Sequence, residues 1–553
     1  MNRRSILSSL PAGLAAAAPA SGEPPAGGPH IYDVRRLGAS GTGKTLDTAV
    51  LNRAIDACSA SGGGVVYLPP GSYLTGTVVL KSNVTLYLEA GATLLGSTDI
   101  RDYSGNPADA RNHVPGSHLI SARNAENIAL AGPGRIDGQG KAFWQPSGRP
   151  PMPPENAWRD AVHNQWKTAA DASGRERRPS PMIELVDCRH VRIEDVRIEN
   201  AAGWTLRPLN CDDVTIRGIR IWNPTHGPNT DGIDPTGCRN VFISDCLINT
   251  GDDNICLKSE NPYGEDIRVS KNITITNCVL SGGCNGLKFG TATRGGFENV
   301  VFSNCVIAND DVPVQERLIT GIAIEMVDGG WLEGVLISNV RIQRARTPIF
   351  MRRGLRRARP DGSAGTLRGV KIDNVHATGS ILSSLISGVP GFDIEDVSLT
   401  NIRVDSEEGG EESWVARPIP EVPTAYPDVR PFGRLPAFGL YCRHVSGLNL
   451  QNVEFRAVKK DARPALICDD VSNLSVDGFT CSAASGAQPA IRLINARSAF
   501  LRGCRAPAGS QLFLEVQGRA SERITLLASD LTGAREAVRH EDEVPPGAVT
   551  ESR

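Results

Sequence analysis

The sequence predicts an all-β fold, a single-stranded right-handed parallel β-helix with an N-terminal capping helix. Three observations predict it: a strand-like phrase that recurs along the chain, coil-length intervals between its copies, and abundant glycine with scarce aromatics. The phrase is a polar residue followed by an alternating β-branched run. It occurs as Asn83-Val84-Thr85-Leu86, His190-Val191-Arg192-Ile193, Asp213-Val214-Thr215-Ile216, Asn240-Val241-Phe242-Ile243, Asn272-Ile273-Thr274-Ile275, Asn299-Val300-Val301-Phe302 and Gly334-Val335-Leu336-Ile337. Weaker copies begin at Gly369, Ile394, Gly447 and Asn473. From Val191 the first five intervals are 23, 27, 32, 27 and 35 residues. Periods of this size mark a solenoid, in which each copy buries its apolar face only by stacking on its neighbours. With 58 glycines and 5% aromatics, short strands joined by tight turns are favoured over a helical bundle.

Each element follows in order. Residues 1–20 have the pattern of an export signal: Arg3-Arg4, a weakly apolar stretch, then the small-residue site Ala18-Pro19-Ala20. The paired arginines suggest twin-arginine export, hence a secreted or periplasmic protein. The solenoid is expected over 30–535 as one domain. Asp47–Ala60 reads as a helix with Val50, Leu51, Ala54, Ile55 and Cys58 on one face, Asp47 as N-cap and Gly62-Gly63-Gly64 as its stop. Such a helix would cover the open end of the solenoid. In the repeats, Val191 and Ile193 should point inward and Arg192 outward, as should Val241 and Ile243 against Phe242. Two stretches break the pattern, 140–180 with Trp144, Trp158 and Trp166, and 405–437 with Tyr426. Both read as long loops leaving one side of the solenoid, whose aromatic rings either stack on sugars or cover apolar surface.

Composition narrows the partners. Acidic (61) and basic (59) residues nearly cancel, which gives no electrostatic footprint for nucleic acid. Outside the leader no apolar run reaches membrane-spanning length. The thirteen cysteines recur at one repeat position, as in Asp187-Cys188, Asn210-Cys211, Asp245-Cys246, Asn277-Cys278 and Asn304-Cys305. Small buried slots explain them, and one or two disulfides after export are open alternatives.

The chemistry concentrates in three consecutive coils: Asn229-Thr230-Asp231-Gly232, Gly251-Asp252-Asp253-Asn254 and Cys284-Asn285-Gly286-Leu287-Lys288. Asp231 and Asp252 are 21 residues apart, about one coil, so stacking sets Asp231 beside Asp252 or Asp253 at about 4.8 Å. Carboxylates that close raise at least one pKa and create a proton donor, which glycosidic hydrolysis requires alongside a carboxylate that activates water. Asp252 and Asp253 share a cleft only at a bend, for which Gly251 is suited. Turn capping and Ca²⁺ binding are the other uses of such acids.

This pattern resembles the polygalacturonase family of glycoside hydrolases, family 28. Gly62-Gly63-Gly64-Val65-Val66-Tyr67-Leu68-Pro69, Leu86-Tyr87-Leu88-Glu89-Ala90-Gly91-Ala92 and Gly132-Pro133-Gly134-Arg135-Ile136-Asp137-Gly138 extend the likeness over roughly 30–355. The resemblance implies an inverting hydrolase of pectin-type polysaccharide, polygalacturonan or rhamnogalacturonan. It implies Asp252 as general acid, Asp231 and Asp253 as the pair that holds and activates water, and no metal or other cofactor. The family's Gly-His-Gly is replaced by Cys284-Asn285-Gly286, and its Arg-Ile-Lys, which grips the galacturonate carboxylate, by Ala323-Ile324-Glu325. Substrate contacts are therefore expected from Asn229, Asn285, Lys258, Lys288, Glu325 and His226, with Lys258, Lys288 and Arg294 as candidate compensating cations. A monomer is expected. Two other functions share this architecture: a Ca²⁺-dependent enzyme like pectate lyase, and a non-catalytic carbohydrate-binding β-helix.

Overall fold

The computed structural model describes residues 30–104, 117–170, 174 and 177–552, and the expected export signal lies outside them. One parallel sheet system runs through the chain and wraps into three faces. The first face stacks Val84–Leu88, Glu126–Ala131, Arg189–Glu194, Asp212–Arg217, Arg239–Ser244 and Ser270–Thr276. The second includes Arg197–Glu199, Arg220–Trp222, Leu247–Thr250 and Val279–Gly282. The third stacks Ile183–Val186, Leu206–Leu209, Ile255–Ser259, Asn285–Thr293, Thr320–Met326, Thr347–Arg353 and Ser384–Ser387, with Ile233 and Thr236 bridging the gap between Leu206–Leu209 and Ile255–Ser259. The coils continue to Val549–Ser552.

The repeat phrase is the register of the helix. Val191 pairs with Val214, then Val241, Ile273, Val300, Val335 and Val370, all buried in the common core. Arg192 and Phe242 point outward. The polar residue opening each phrase sits in the left-handed region, at Asn83, Asn127, His190, Asp213, Asn240, Asn272 and Asn299. Asn and Asp tolerate that conformation better than other residues with a Cβ. Their side chains also bond from coil to coil: Asn240 Nδ2 donates to Asp213 (2.9 Å), Asn272 to Asn240 (3.0 Å) and Asn299 to Asn272 (3.3 Å). Variable intervals are thus loops inserted between constant core positions.

Most cysteines form inward stacks, Cys188–Cys211–Cys238 and Cys246–Cys278–Cys305 among them, whereas Cys256 and Cys284 lie outside the main core. All thirteen are unpaired thiols, so the disulfide alternative falls and small-slot packing stands.

The N-terminal helix spans Thr48–Ala60 and buries Leu51, Ala54, Ile55 and Cys58, with Val50 partly buried against the same core. It ends in a Schellman arrangement, in which Gly62 N–H donates to Ser59 O and Gly63 N–H to Cys58 O, with Gly62 at φ +95°. Asp47 stands at the N-cap but does not cap the helix through its side chain. Its carboxylate instead accepts from the backbone of Ser40 (2.6 Å) and Gly41 (3.0 Å), because the preceding turn folds back over it.

The two long loops meet on the third face. Trp158 and Ala161 from one pack with Val429, Phe432, Leu435 and Ala437 from the other, over Phe350, Leu385 and Tyr441 of the sheet. Trp158 therefore serves as apolar cover. The same holds for Trp144, which is buried in the main core.

Candidate active site

Three coils converge where the second face turns into the third. The bridge Ile233–Ile255 and the pair Ile255–Leu287 bring the segments before them, with Asp231, Asp253 and Asn285, onto one wall in successive coils. Oxygens of Asp231 and Asp253 lie, with the Cys256 sulfur, within 4.8 Å of one another. Oxygens of Asp252 and Asp253 lie equally close around the Cys284 sulfur. Asp252 and Asp253 occupy a bend between Leu247–Thr250 and Ile255–Ser259, which lets both face the same side. Thr250 Oγ1 holds that bend by donating to Asp252 O at 2.7 Å, and Asn254 Nδ2 holds it by donating to Thr250 Oγ1 at 2.8 Å.

Gly251 is required here by close approach. A Cβ would collide with the Gly227 carbonyl and come within 2.7 Å of Thr230 Oγ1, which accepts the Gly251 N–H, and 2.9 Å of the Pro224 carbonyl. Gly251→Ala is expected to push the 224–230 turn off the acids. It should cost on the order of 1–3 kcal/mol in chemical denaturation, together with most of the activity.

The expected cations are not alike. Lys288 is buried, with its Nζ 3.1 Å from Asp253 and 3.5 Å from Glu325, and the half-exposed Tyr426 hydroxyl accepts from it at 3.3 Å. Lys258 is also buried, 3.8 Å from Asp231, 3.2 Å from Asp234 and 4.8 Å from the Trp204 ring, and it donates to Cys256 Sγ. Burial opposes both charges, yet Lys258 is held well above its ordinary pKa by Cys256, Asp234 and Asp231, and Lys288 by Asp253 and Glu325. Arg294 is exposed on the turn beyond the strand. Asn285 donates to Asp253 at 2.7 Å, an orienting bond that a neutral amide supplies without titrating.

Burial raises Asp231 well above the carboxylate range, reinforced by Asp234 and Asp252. Burial also raises Asp253, but Lys288, Lys258 and the Asn285 bond outweigh it and hold Asp253 below its usual value. Burial pushes Asp234 up to about 6 and Glu325 up to about 8, against the pull of Lys258 and Lys288. The wall thus pairs a carboxyl that keeps its proton with one that stays ionised. Glu325 gives a stability signature. Its folded pKa exceeds its unfolded value, so the native state binds the extra proton between them. Stability is full below the ordinary Glu range and declines as pH rises toward about 8. Glu325→Gln is expected to flatten that decline and raise the melting temperature by a few degrees at pH 8 but not at pH 4, as read by thermal denaturation across pH.

The rim is looser. Asn229 is exposed at φ +53°, reaches Asp252 at 3.5 Å and accepts from Arg178 at 3.0 Å. His226 packs against Trp166 (5.4 Å) and Trp144 (5.9 Å), and burial lowers its pKa. His163 Nδ1 donates to the Gly251 carbonyl at 2.8 Å and ties the first long loop to the acid bend. Asp234, Cys256, Arg178 and His163 carry no motif of their own. Asp234 and Cys256 become readable only through register, since Arg207, Asp234, Cys256 and Lys288 fall in one outward column. The groups with metal-ligating spacing at the site share Asp253, and Lys258 and Lys288 already supply positive charge to those carboxylates, a role Ca²⁺ would otherwise fill.

Residues 58–420 match the family model for glycosyl hydrolases family 28. The chain belongs to that family. A probable polygalacturonase of Vitis vinifera is 26% identical over 68% of this chain and 74% of its own length. An exo-poly-alpha-D-galacturonosidase of Dickeya chrysanthemi is 27% identical over 56% of this chain, which spans about half (55%) of that relative. The crystal structure of a hyperthermoactive exopolygalacturonase from Thermotoga maritima superposes with a TM-score of 0.55 at 25% identity, covering 68% of this chain and 87% of that one. This family 28 glycosyl hydrolase therefore has the parallel β-helix of its relatives and acts on O-glycosyl bonds, while its acid wall carries Asn285, Lys288 and Glu325.

Proposed function

We propose that the protein hydrolyses pectin-type polysaccharide, polygalacturonan or rhamnogalacturonan, with inversion. Asp252 acts as general acid, and Asp231 and Asp253 hold and activate water. The observation that carries this reading is the clustering of three carboxyl groups in two adjacent coils, with Asp253 held ionised as a water-activating carboxylate must be. Asp252 is the most exposed of the three, which suits delivery of a proton to a leaving oxygen at the mouth.

Asn229, Asn285 and Tyr426 contact substrate from the rim and wall. Glu325 and the clamped Lys288, standing where a uronate grip is expected, support a neutral or hydroxyl-rich sugar at that subsite. Reducing-end release from polygalacturonate, rhamnogalacturonan and xylogalacturonan tests the function. Release expected from at least one polymer and absent in all three would separate a hydrolase from a binding scaffold. Export is part of the proposal: Arg3-Arg4 and Ala18-Pro19-Ala20 support a twin-arginine route to the periplasm or medium. Among the described residues no helix is long and apolar enough to cross a membrane. We assign catalysis to the single solenoid unit, acting as a monomer.

A further inference from the structure

We infer that Arg178, at the end of the first long loop, is a positioning residue: its guanidinium orients the Asn229 amide and, through that amide, the Asp252 carboxyl group for proton delivery. This rests on the hydrolytic function proposed above and adds the device that aims its acid.

Between Trp222 and Asp231 the chain leaves the regular ladder as a turn. Inside the turn, Gly227 N–H donates to Pro224 O at 2.9 Å and the Thr230 hydroxyl to Gly227 O at 3.0 Å. The first long loop grips it from outside at two places. At one end the Trp144 and Trp166 rings pack on His226, and a Cβ on Gly227 would come within 2.8 Å of the Trp144 ring. At the other end Arg178 Nη1 donates to Pro228 O at 2.6 Å and to Ala202 O at 3.0 Å, which joins the turn to the coil before it. Arg178 Nη2 donates to Asn229 Oδ1 at 3.0 Å.

The arginine is braced from behind. Two residues on, Ser180 N–H donates to Ser117 O at 3.0 Å, and the Ser180 hydroxyl accepts the Trp204 N–H at 3.0 Å. Gly203 keeps the slot open. A Cβ there would collide with the Ser180 hydroxyl and come within 3.0 Å of Arg178 Nε.

The bond to Oδ1 decides which way the Asn229 amide faces. A carboxamide has one accepting end and one donating end. With Oδ1 held by the guanidinium, Nδ2 is turned toward Asp252 Oδ2, 3.5 Å away. The reverse setting would bring an amide oxygen against a carboxyl oxygen and an amino group against a guanidinium. The second Asp252 oxygen accepts the Asp253 N–H at 3.0 Å. The carboxyl group is thus steered at both edges, by backbone on one side and by the Arg178–Asn229 pair on the other. Contacts as long as 3.5 Å in a free site often tighten once substrate is bound. Arginine suits the task because its planar fork holds several acceptors in a fixed geometry, which one ammonium does not reproduce.

The test measures kcat and KM of the full chain on whichever of the three polymers it cleaves best, beside the melting temperature. The variants are Arg178→Met, Arg178→Lys, Asn229→Ala and Arg178→Met combined with Asn229→Ala. Arg178→Met is expected to lower kcat about 10- to 100-fold with KM changed less than about threefold, as for a misaimed group and not a lost binding contact. Arg178→Lys keeps the charge and the stem and is expected to lose most of kcat all the same, because one ammonium cannot serve Pro228 O, Ala202 O and Asn229 Oδ1 together. The combined variant is expected to be no slower than the slower of its two parents, since both changes break one route. Undiminished kcat in either Arg178 variant, whatever its melting temperature, overturns the inference and leaves the hydrolytic function intact. A combined variant whose two losses multiply overturns it as well. No cleavage of any of the three polymers by the unaltered enzyme overturns the inference and the hydrolytic function together.

Discussion

Asp252→Asn is expected to lower turnover about 10²- to 10⁴-fold, the range assigned to a positioned proton donor, while the melting temperature stays near that of the parent. The side chain makes this separation feasible. Asp252 is partly exposed, its carboxylate accepts the Asp253 N–H at 3.0 Å, and Asn229 approaches it at 3.5 Å. An asparagine keeps the shape and one acceptor oxygen, so the bend survives while the acidic proton is lost. Asp253 offers no such clean test, because it bonds Lys288 and Asn285 in the interior. Turnover on the best substrate of the polymer panel, read beside circular dichroism, checks the expectation. Unchanged turnover would remove Asp252 from the acid role.

Much of the fold was legible because the β-helix repeats its physics. The alternation at Val191-Arg192-Ile193 states which side chains are inside, and the Asn, Asp or His before each run marks the residue in the left-handed region. The acid pair was legible for the same reason: 21 residues is one coil, and one coil is one step along the wall. What stayed hidden depends on the third dimension. Asp234 carries no motif of its own, and its partnership with Lys258 comes from side chains bending across a column. Lys258 and Lys288 read as cations free to meet a uronate, and both are instead clamped by acids of the wall. Asp47 had the residue type of a cap, yet a turn seven residues earlier captured its carboxylate. The long loops gave their composition but not their docking on the third face, because their arginine anchors come from coils far away in sequence.

Lys288→Met is expected to have the second large effect, on stability and chemistry together. The ammonium is shared between Asp253 and Glu325, both buried, so its removal leaves two acids without their common counter-charge. Breaking a buried pair from one side costs roughly 3–5 kcal/mol. The two acids should respond differently. Glu325, already pushed up to about 8 against the pull of Lys288, keeps its proton to still higher pH once that pull is lost. Asp253 loses the first of the charges that outweigh its burial, so its pKa moves up from below the ordinary value. An activated water needs Asp253 ionised, so the acidic limb of the kcat/KM profile should move to higher pH. Adding Glu325→Gln to Lys288→Met should recover part of the stability by removing one of the stranded acids, but it should leave the shifted limb in place. Urea denaturation and pH–rate profiles of the single and double variants separate these contributions. If neither stability nor the acidic limb moves in Lys288→Met, Lys288 is not the counter-charge of the water-activating acid, and Lys258 with Asn285 must hold Asp253 ionised on their own.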